Sequence, residues 1–452
     1  MLILTLQEVA VACGGRLVGG DPRTEVRAVS TDSRTMSPGD LFVGLRGEQF
    51  DGDAHAPEAL AAGAAAVVVG AAAARTLNGA PRIVVDDGRS ALQRLAASVR
   101  RRSKAKVVAV TGSAGKTATK DILAALLRPV ARTVATRGNL NNEIGVPLTL
   151  LRMEADTEVA VVEMGMRGHG QIRELARIAR PDIGVITTIA PVHLELVGSL
   201  EDVASAKAEL LEELEGGTSV VPGDEPLLDR HVERLAGRVV TFAAPGADVR
   251  LVDEERSGEN TRVTVDAFGQ WEQLDFSFTG RHYLHDALAA LAAFVELGFG
   301  LEQAREGAAQ VVFSDQRGAV SELPGGGLLL DDSYNANPVA TMAAVDHLVA
   351  IADGRPLVAV LGDMYELGPG AADFHRAVGE HCVAAGVRLV AVGELSRDLL
   401  TGAPGETWFA TVEECLAALP AVVPIGSAVV VKASRVLRLE RVAQALRGID
   451  DA

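Results

Sequence analysis

The run Val107-Val108-Ala109-Val110-Thr111-Gly112-Ser113-Ala114-Gly115-Lys116-Thr117 constrains this chain more than any other stretch. Its four apolar, mostly β-branched residues predict a buried strand. A glycine-containing loop follows. Ala118 to Leu127 then places Ile122, Leu123, Leu126 and Leu127 on one helical face, and Pro129 ends the pattern. Strand, loop, Lys-Thr and helix together make a phosphate cradle. Loop N–H groups and the helix N-terminus face the anion, Lys116 reaches its terminal oxygens, and Thr117 offers a hydroxyl to magnesium. Val110 stands where the common phosphate loop has its first glycine, so the loop is shortened to Gly-x-x-Gly-Lys-Thr.

At 452 residues the chain exceeds one ordinary core, and several domains are expected. Aromatics make up only 4%, so the cores must be built from Ala, Val and Leu. The net charge of −17 argues against nucleic acid or an anionic membrane surface as partner. Anionic ligands must then be held by local features such as loop N–H groups, Lys116 and metal ions. Cys13, Cys382 and Cys415 are far apart and form no metal-ligand spacing, which predicts buried thiols in a reducing compartment. Met1 to Glu8 lacks the basic-then-apolar pattern of a signal peptide, and no apolar run is long enough to span a membrane. A cytoplasmic protein is expected.

Residues 1–85 read as a small α/β domain. Thr5-Leu6-Gln7-Glu8 is a capping box, and Gly14-Gly15 closes the helix it opens. Val26 to Val29 predicts a strand, followed by Thr31-Asp32-Ser33-Arg34, which is either a surface turn or a set of donors for a nucleotide head. A second strand, Leu41 to Leu45, leads to the polar loop Gly47 to Gly52. The Ala-rich tract Ala59 to Ala74 reads as helix, Gly63 turn and strand.

Residues 86–313 form the unit with the phosphate loop. Arg100 to Lys104 reads as the solvated basic end of a helix. Gly138-Asn139-Leu140-Asn141-Asn142-Glu143-Ile144-Gly145 is too polar for a core. Val159 to Val162 predicts a buried strand ending in Glu163, which suits a magnesium ligand at the ligand-facing edge of a parallel sheet. His193 lies just beyond another strand, Ile183 to Thr188. Ser199 to Asp202 resembles a capping box opening a helix to Leu214. Inside it, Lys207 reads from spacing alone as a surface lysine paired with Glu201 or Glu212. Residues 251–279 alternate with period two and predict a hairpin-like β layer, and Ala287 to Leu297 a helix.

Residues 314–452 alternate strands and helices with polar residues at the strand ends. Leu328 to Leu330 runs into Asp331-Asp332-Ser333-Tyr334-Asn335-Ala336-Asn337-Pro338. Val358 to Leu361 runs into Gly362-Asp363-Met364-Tyr365-Glu366-Leu367-Gly368, and Val429 to Val431 into Lys432-Ala433-Ser434-Arg435. This predicts a parallel sheet with a ligand at its carboxyl edge. A phosphate loop, a metal-type carboxylate and a second polar sheet edge suit chemistry between two domains. Phosphorylating a carboxylate makes it an electrophile that an amine can attack, and cations must neutralise the crowded oxygens.

The shortened loop resembles that of the ATP-dependent Mur ligases. The Asn139–Pro147, Asp331–Pro338 and Gly362–Gly368 stretches, with Thr31–Arg34, resemble the same family in order along nearly the whole chain. The resemblance implies an α/β protein with three domains: residues 1–85 holding a UDP-sugar, 86–313 an ATPase-like parallel-sheet domain, and 314–452 a Rossmann-like domain closing over ATP and an amine. It implies an amide ligase working as a monomer. By this resemblance, MgATP would phosphorylate the carboxylate of UDP-N-acetylmuramoyl-tripeptide, and D-alanyl-D-alanine would displace phosphate in peptidoglycan precursor synthesis. By position, Thr111, Gly112, Ser113, Ala114, Gly115, Lys116, Thr117, Asn142, Asp286, Arg317 and Asp332 would serve the nucleotide. Lys116, Lys207 and His193 would be catalytic. Thr117, Glu163, His193 and Lys207 would hold metal, the last as a carbamate that turns a cation into an anionic ligand, which reverses the surface-lysine reading. Asp32, Ser33 and Arg34 would meet the uridine diphosphate, and Asn139, Tyr334, Asn335, Lys432, Ser434 and Arg435 the remaining substrate.

Three places depart from the family pattern. Tyr283 and Asp286 replace two asparagines on the adenine side, where Tyr283 could stack on a base and Asp286 accept from its amine. Gln316 and Ala433 replace glycines, which allow backbone angles that glutamine and alanine resist. Other readings are a sibling ligase for a single amino acid, a non-catalytic UDP-peptide binder, and a P-loop kinase or GTPase. The last lacks a guanine-type Asn-Lys-x-Asp.

Overall fold

The computed structural model describes residues 1–47 and 50–448, so Glu48 and Gln49 of the Gly47–Gly52 loop lie outside the described residues. The N-terminal helix Leu6–Cys13 begins with a complete capping box. Glu8 N–H donates to Thr5 Oγ1 at 3.3 Å, Thr5 N–H donates to Glu8 Oε2 at 2.9 Å, and Gly14 ends the helix at φ 69°. A five-stranded sheet follows in the order Arg16–Val18, Arg82–Val85, Ala66–Gly70, Leu41–Val43, Val29–Ser30. The strand expected over Val26 to Val29 is two separate pieces. Glu25–Val26 pairs antiparallel with Leu4–Thr5, while Val29–Ser30 pairs parallel with Leu41 and Phe42. One alternating run cannot serve two partners, so the chain breaks at Arg27-Ala28.

Residues 106–276 build a nine-stranded sheet around Lys106–Thr111. That strand pairs parallel with Val159–Glu163 on one side and Ile183–Ile186 on the other. Val107 and Ala109 pack into one core and Val108 and Val110 into another, each fully buried. A strand covered on both faces must be apolar throughout, which explains the unbroken Val-Val-Ala-Val run. The helices Lys116–Leu127 and His282–Glu296 cover one face, and Leu200–Glu212 and Gln171–Ala179 the other. The period-two segment is not a separate layer. Its strands Val249–Ser257, Asn260–Ala267 and Gln270–Phe276 pair antiparallel and extend the same sheet. The helix Gly88–Arg102 packs on both Leu6–Cys13 and the central helices, so the apolar core is continuous across the first two units. Its basic end is not wholly solvated. Arg100 is largely buried, donating from Nε to Ala179 O at 2.8 Å and from its terminal nitrogen to Asp182 Oδ2 at 3.0 Å.

The third sheet runs Ala319–Leu323, Gly327–Asp331, Ala428–Lys432, Leu357–Gly362, Arg388–Val392, Thr407–Phe409, parallel except at the first strand. Asn337 Oδ1 accepts from Ala340 N–H at 2.9 Å and caps the helix Pro338–Ile351, with Pro338 at its first position. The three cysteines are free and buried, and burial pushes Cys13 and Cys382 up to about 12 and Cys415 to about 11. No described helix is long and apolar enough to cross a membrane.

Candidate active site

The carboxyl ends of three adjacent parallel strands, Lys106–Thr111, Val159–Glu163 and Ile183–Ile186, open onto one crevice of about 1060 Å³. In a parallel sheet this is where successive loops diverge and leave room for a ligand. The phosphate loop forms its floor. Gly112 is at φ 154° and Gly115 at φ 77°, and a Cβ on Gly112 would stand 1.9 Å from Thr187 Oγ1. Both glycines are therefore required by space as well as by backbone angle. Thr187 and Ser113 tie the loop down. The Thr187 hydroxyl donates to Ala114 O, and Ser113 Oγ both donates to Ala190 O at 3.0 Å and accepts from Ala190 N–H at 2.9 Å.

Lys116 opens the helix and donates from Nζ to Gly112 O at 2.8 Å, folded over its own loop. Desolvation lowers its pKa, opposed by Glu163, assisted by Arg317 and opposed again by Asp286. Thr117 lines the crevice beside it. Thr111 does not, because its hydroxyl donates to Met164 O at 2.9 Å. Gly112 contributes its carbonyl to Lys116 and forms no part of the crevice wall.

Glu163 is fully buried at the end of its strand. Asn141 Nδ2 donates to its Oε1 at 2.7 Å, while Oε2 has no protein partner. An orphaned carboxylate oxygen in a crevice fits a cation, since leaving it unpaired costs roughly 1–3 kcal/mol. Lys207 lines the same crevice, 2% exposed, and no described residue forms a hydrogen bond or ion pair with its amine. The surface pairing with Glu201 or Glu212 is overturned: Glu212 pairs with Arg173 instead. Burial, and then Lys116, drive the Lys207 pKa well below the ordinary lysine value. Burial thus favours the neutral amine over the ammonium form. His193, at φ 55°, meets Glu366 of the third unit through Nδ1. Among the described residues no three His, Cys, Asp or Glu side chains already form a metal-binding group.

The third unit supplies the opposite wall with Arg317, Asp332, Tyr334, Asn335 and Lys432. The Arg317 guanidinium stacks 3.9 Å from the Tyr334 ring centre, a cation–π contact that fixes it over the crevice. Lys432 is 3% exposed, paired with Asp332 and donating to Asn335 O at 2.9 Å. Gln316 takes φ 60°, so glutamine here adopts the backbone angle for which the family keeps glycine; Ala433 is not left-handed and needs no glycine.

Several of the expected residues lie away from the crevice or are engaged with other partners. Ser434 and Arg435 lie outside the crevice. The Ser434 hydroxyl accepts from Tyr365 N–H at 3.0 Å, and Arg435 binds Gln316 Oε1 at 3.0 Å and Glu440 at 3.2 Å. Tyr283 is not free to stack on a base. Phe313 already stacks on it at 4.2 Å, and its hydroxyl donates to Arg317 O at 3.2 Å. Asp286 is buried against the phosphate loop, and burial raises its carboxyl pKa well above the ordinary value. Asn142 lines the crevice, but its Oδ1 is engaged at the start of the helix Gly145–Leu150, accepting from Gly145 N–H at 2.9 Å. Asn139 faces the crevice with no such commitment. Asp32, Ser33 and Arg34 are not brought to the crevice. Arg34 pairs with Asp32 at 2.7 Å, and Ser33 donates to Glu58 at 3.2 Å. Sequence reasoning missed Asn141 and Glu366 as partners of Glu163 and His193, although both lie inside stretches already singled out.

Fold and site together define a P-loop nucleotide-binding protein whose crevice is shared with a third α/β unit. Three family profiles match in order: the Mur ligase family catalytic domain over residues 25–100, the Mur ligase middle domain over 110–294, and the Mur ligase glutamate ligase domain over 317–435. The chain belongs to the Mur ligase family. It is 35% identical to the UDP-N-acetylmuramoyl-tripeptide–D-alanyl-D-alanine ligase of Escherichia coli, with 99% of each chain covered. Against the Bacillus subtilis enzyme of the same name identity is 33%, again over 99% of each. A crystal structure of MurF from Acinetobacter baumannii superimposes with a TM-score of 0.89 at 30% identity, covering 99% of both chains. MurF ligase from Thermotoga maritima in complex with ADP gives 0.81 at 28%, covering 94% of this chain and 98% of that one.

Proposed function

We propose that the protein joins D-alanyl-D-alanine to UDP-N-acetylmuramoyl-tripeptide, converting ATP to ADP and phosphate. The crevice carries this reading: a phosphate loop, a buried carboxylate with a free oxygen and a buried unpaired lysine face a second wall of Arg317, Asp332 and Lys432. The substrate names come from full-length relatives, and ATP use is supported by the ADP-bound neighbour. In the first step the tripeptide carboxylate oxygen attacks the γ-phosphorus and ADP leaves. In the second the dipeptide amine attacks the acyl carbon, phosphate leaves, and the amine proton is released. Lys116 swings from Gly112 O to the β/γ-phosphates, and Arg317 balances charge from the other side. Thr117, Glu163, His193 and carbamylated Lys207 would hold magnesium, which supplies charge neutralisation to the phosphate and carboxylate oxygens. Docking of the third unit excludes water that would hydrolyse the acyl phosphate.

The three units meet near residues 85 and 313 in this reading. Asp32, Ser33 and Arg34 take the uridine diphosphate end, and Asn139, Tyr334 and Asn335 the peptide. This reading sets the reaction in the cytoplasm, which the three buried free thiols support, and on a monomer. The test is a panel of defined UDP-tripeptides and amines, scored by ADP release and product mass. Amide formation with D-alanyl-D-alanine is expected. Preference for a single free amino acid, or phosphate transfer without an amine, overturns the reading.

A further inference from the structure

The stretch Gly362–Gly368 has no role in the chemistry above, yet it reaches out of the third unit to touch a proposed metal ligand. Glu366 Oε2 meets His193 Nδ1, and Arg167 Nε stands 3.7 Å from Glu366 Oε1. The backbones are joined as well, Glu195 N–H donating to Glu366 O at 3.3 Å. Both acidic residue and histidine are left-handed, Glu366 at φ 63° and His193 at φ 55°. Non-glycine residues hold such angles only where their surroundings impose them, and such residues cluster at functional sites. Gly368, at φ 67°, lets the loop approach closely, since a Cβ there would stand 3.3 Å from Glu195 N.

We infer that Glu366 is a positioning residue for His193, and that docking of the third unit thereby completes the cation site of the central unit. A carboxylate only accepts hydrogen bonds, so His193 Nδ1 must carry the proton. In the neutral ring Nε2 is then the lone-pair nitrogen, and no described residue hydrogen-bonds it. Metal-ligating histidines are oriented and made more basic by just such a partner on the other nitrogen. Here the partner lies on a different unit, 173 residues away. The cation would then be held fully only when the wall that carries Arg317, Asp332 and Lys432 is in place. The inference rests on the proposed function for the identity of the cation, but its test does not need turnover.

The experiment is binding of Mn2+ alone to the full-length, nucleotide-free protein, in bicarbonate buffer, read by loss of the free-ion electron paramagnetic resonance signal. Glu366→Ala is expected to weaken Mn2+ binding ~10- to 100-fold, the range found when such partners are removed. Glu366→Gln keeps a carbonyl acceptor and should stay within about threefold of the parent. His193→Ala should weaken binding at least as much, and the double variant should be no worse than His193→Ala alone. If Glu366→Ala does not fold, Glu366→Asp, which withdraws the carboxylate by one methylene, is expected to weaken binding about fivefold or more. Mn2+ affinity within twofold of the parent in a folded Glu366→Ala or Glu366→Asp protein overturns the inference. So does additivity with His193→Ala. Failure of the parent to form amide with D-alanyl-D-alanine would instead refute the proposed function.

Discussion

Gly115→Ala combined with Asp286→Ala tests whether the phosphate loop is shaped by its contact with the helix His282–Glu296. Gly115 sits at φ 77°, and a Cβ there would lie 2.0 Å from Asp286 Oδ1 and 2.8 Å from its Cγ. Two separable penalties follow. An alanine in the left-handed region costs roughly 1–2 kcal/mol relative to glycine. Pushing a 5% exposed Asp286 off its rotamer adds ~0.5–1.5 kcal/mol. The single variant should therefore lose about 1.5–3.5 kcal/mol, read as a shift in urea midpoint. It should also lose activity, because displacing a reacting group by about 1 Å can lower rates ~10²-fold. Asp286→Ala removes the second penalty and leaves the first. The double variant should then be about 1 kcal/mol more stable than the sum of the two single effects, with ATP affinity partly restored. Additive effects, within ~0.5 kcal/mol, would refute the contact as the source of the strain.

Lys116→Ala should lower kcat by about 10²-fold or more while leaving the unfolding midpoint close to the parent, since its one hydrogen bond is to Gly112 O; near-normal ADP release would contradict its role. For Lys207, protein incubated with 13C-bicarbonate should show a carbamate carbonyl resonance that Lys207→Arg lacks. Turnover lost in Lys207→Ala should be partly rescued by bicarbonate, and an unaffected Lys207→Ala would sink the assignment. Acid should loosen the junction of the second and third units. Burial holds His282 down to about 4 and His347 to about 3, their rings 5.5 Å apart across that junction. Unfolded histidines titrate near ~6.5, so below that pH the unfolded chain binds more protons and stability falls as pH drops toward 4. His347→Phe should remove on the order of 3 kcal/mol of this pH dependence between pH 7 and 4; parallel pH profiles for parent and variant would exclude it.

What was legible in the sequence was local. The run from Val107 to Thr117 carries strand, turn and helix signals within a few residues, and Glu163 is visible because a buried strand ends on it. Capping boxes at Thr5 and Ser199 were readable for the same reason, and both are present. What failed depended on partners far along the chain. Lys207 looked solvated because spacing shows only its own helix, not the sheet and helices that bury it. Tyr283 looked available because its stacking partner, Phe313, arrives from another segment. Ser434 and Arg435 follow a strand end, the usual place for site residues; their side chains meet Tyr365, Gln316 and Glu440, and the Arg435 guanidinium also stands 5.7 Å from the ring centre of Tyr334 on the crevice wall. Strand-end position limits where a side chain starts, not where it points.

The distribution of charge across the crevice explains why the second wall has to come from a different unit. The phosphate-loop side holds Lys116 and Lys207, both shifted toward their neutral forms by burial, and Glu163 with one oxygen unpartnered. Such a set is poorly satisfied by itself, and the principle that buried polar groups find partners predicts that ligands finish it. The third-unit side is the reverse. Lys432 and Asp332 neutralise each other, and Arg317 is fixed on Tyr334. One wall carries unpartnered groups, which the proposed function assigns to phosphate, metal and carboxylate; the other is already paired. A ligase that must stabilise charge in the acyl phosphate, yet keep water from it, needs the first wall to bind and the second to close. In the proposed reaction, an incomplete wall on a sheet edge and a finished wall on a separate unit would let substrates enter before the charges are enclosed.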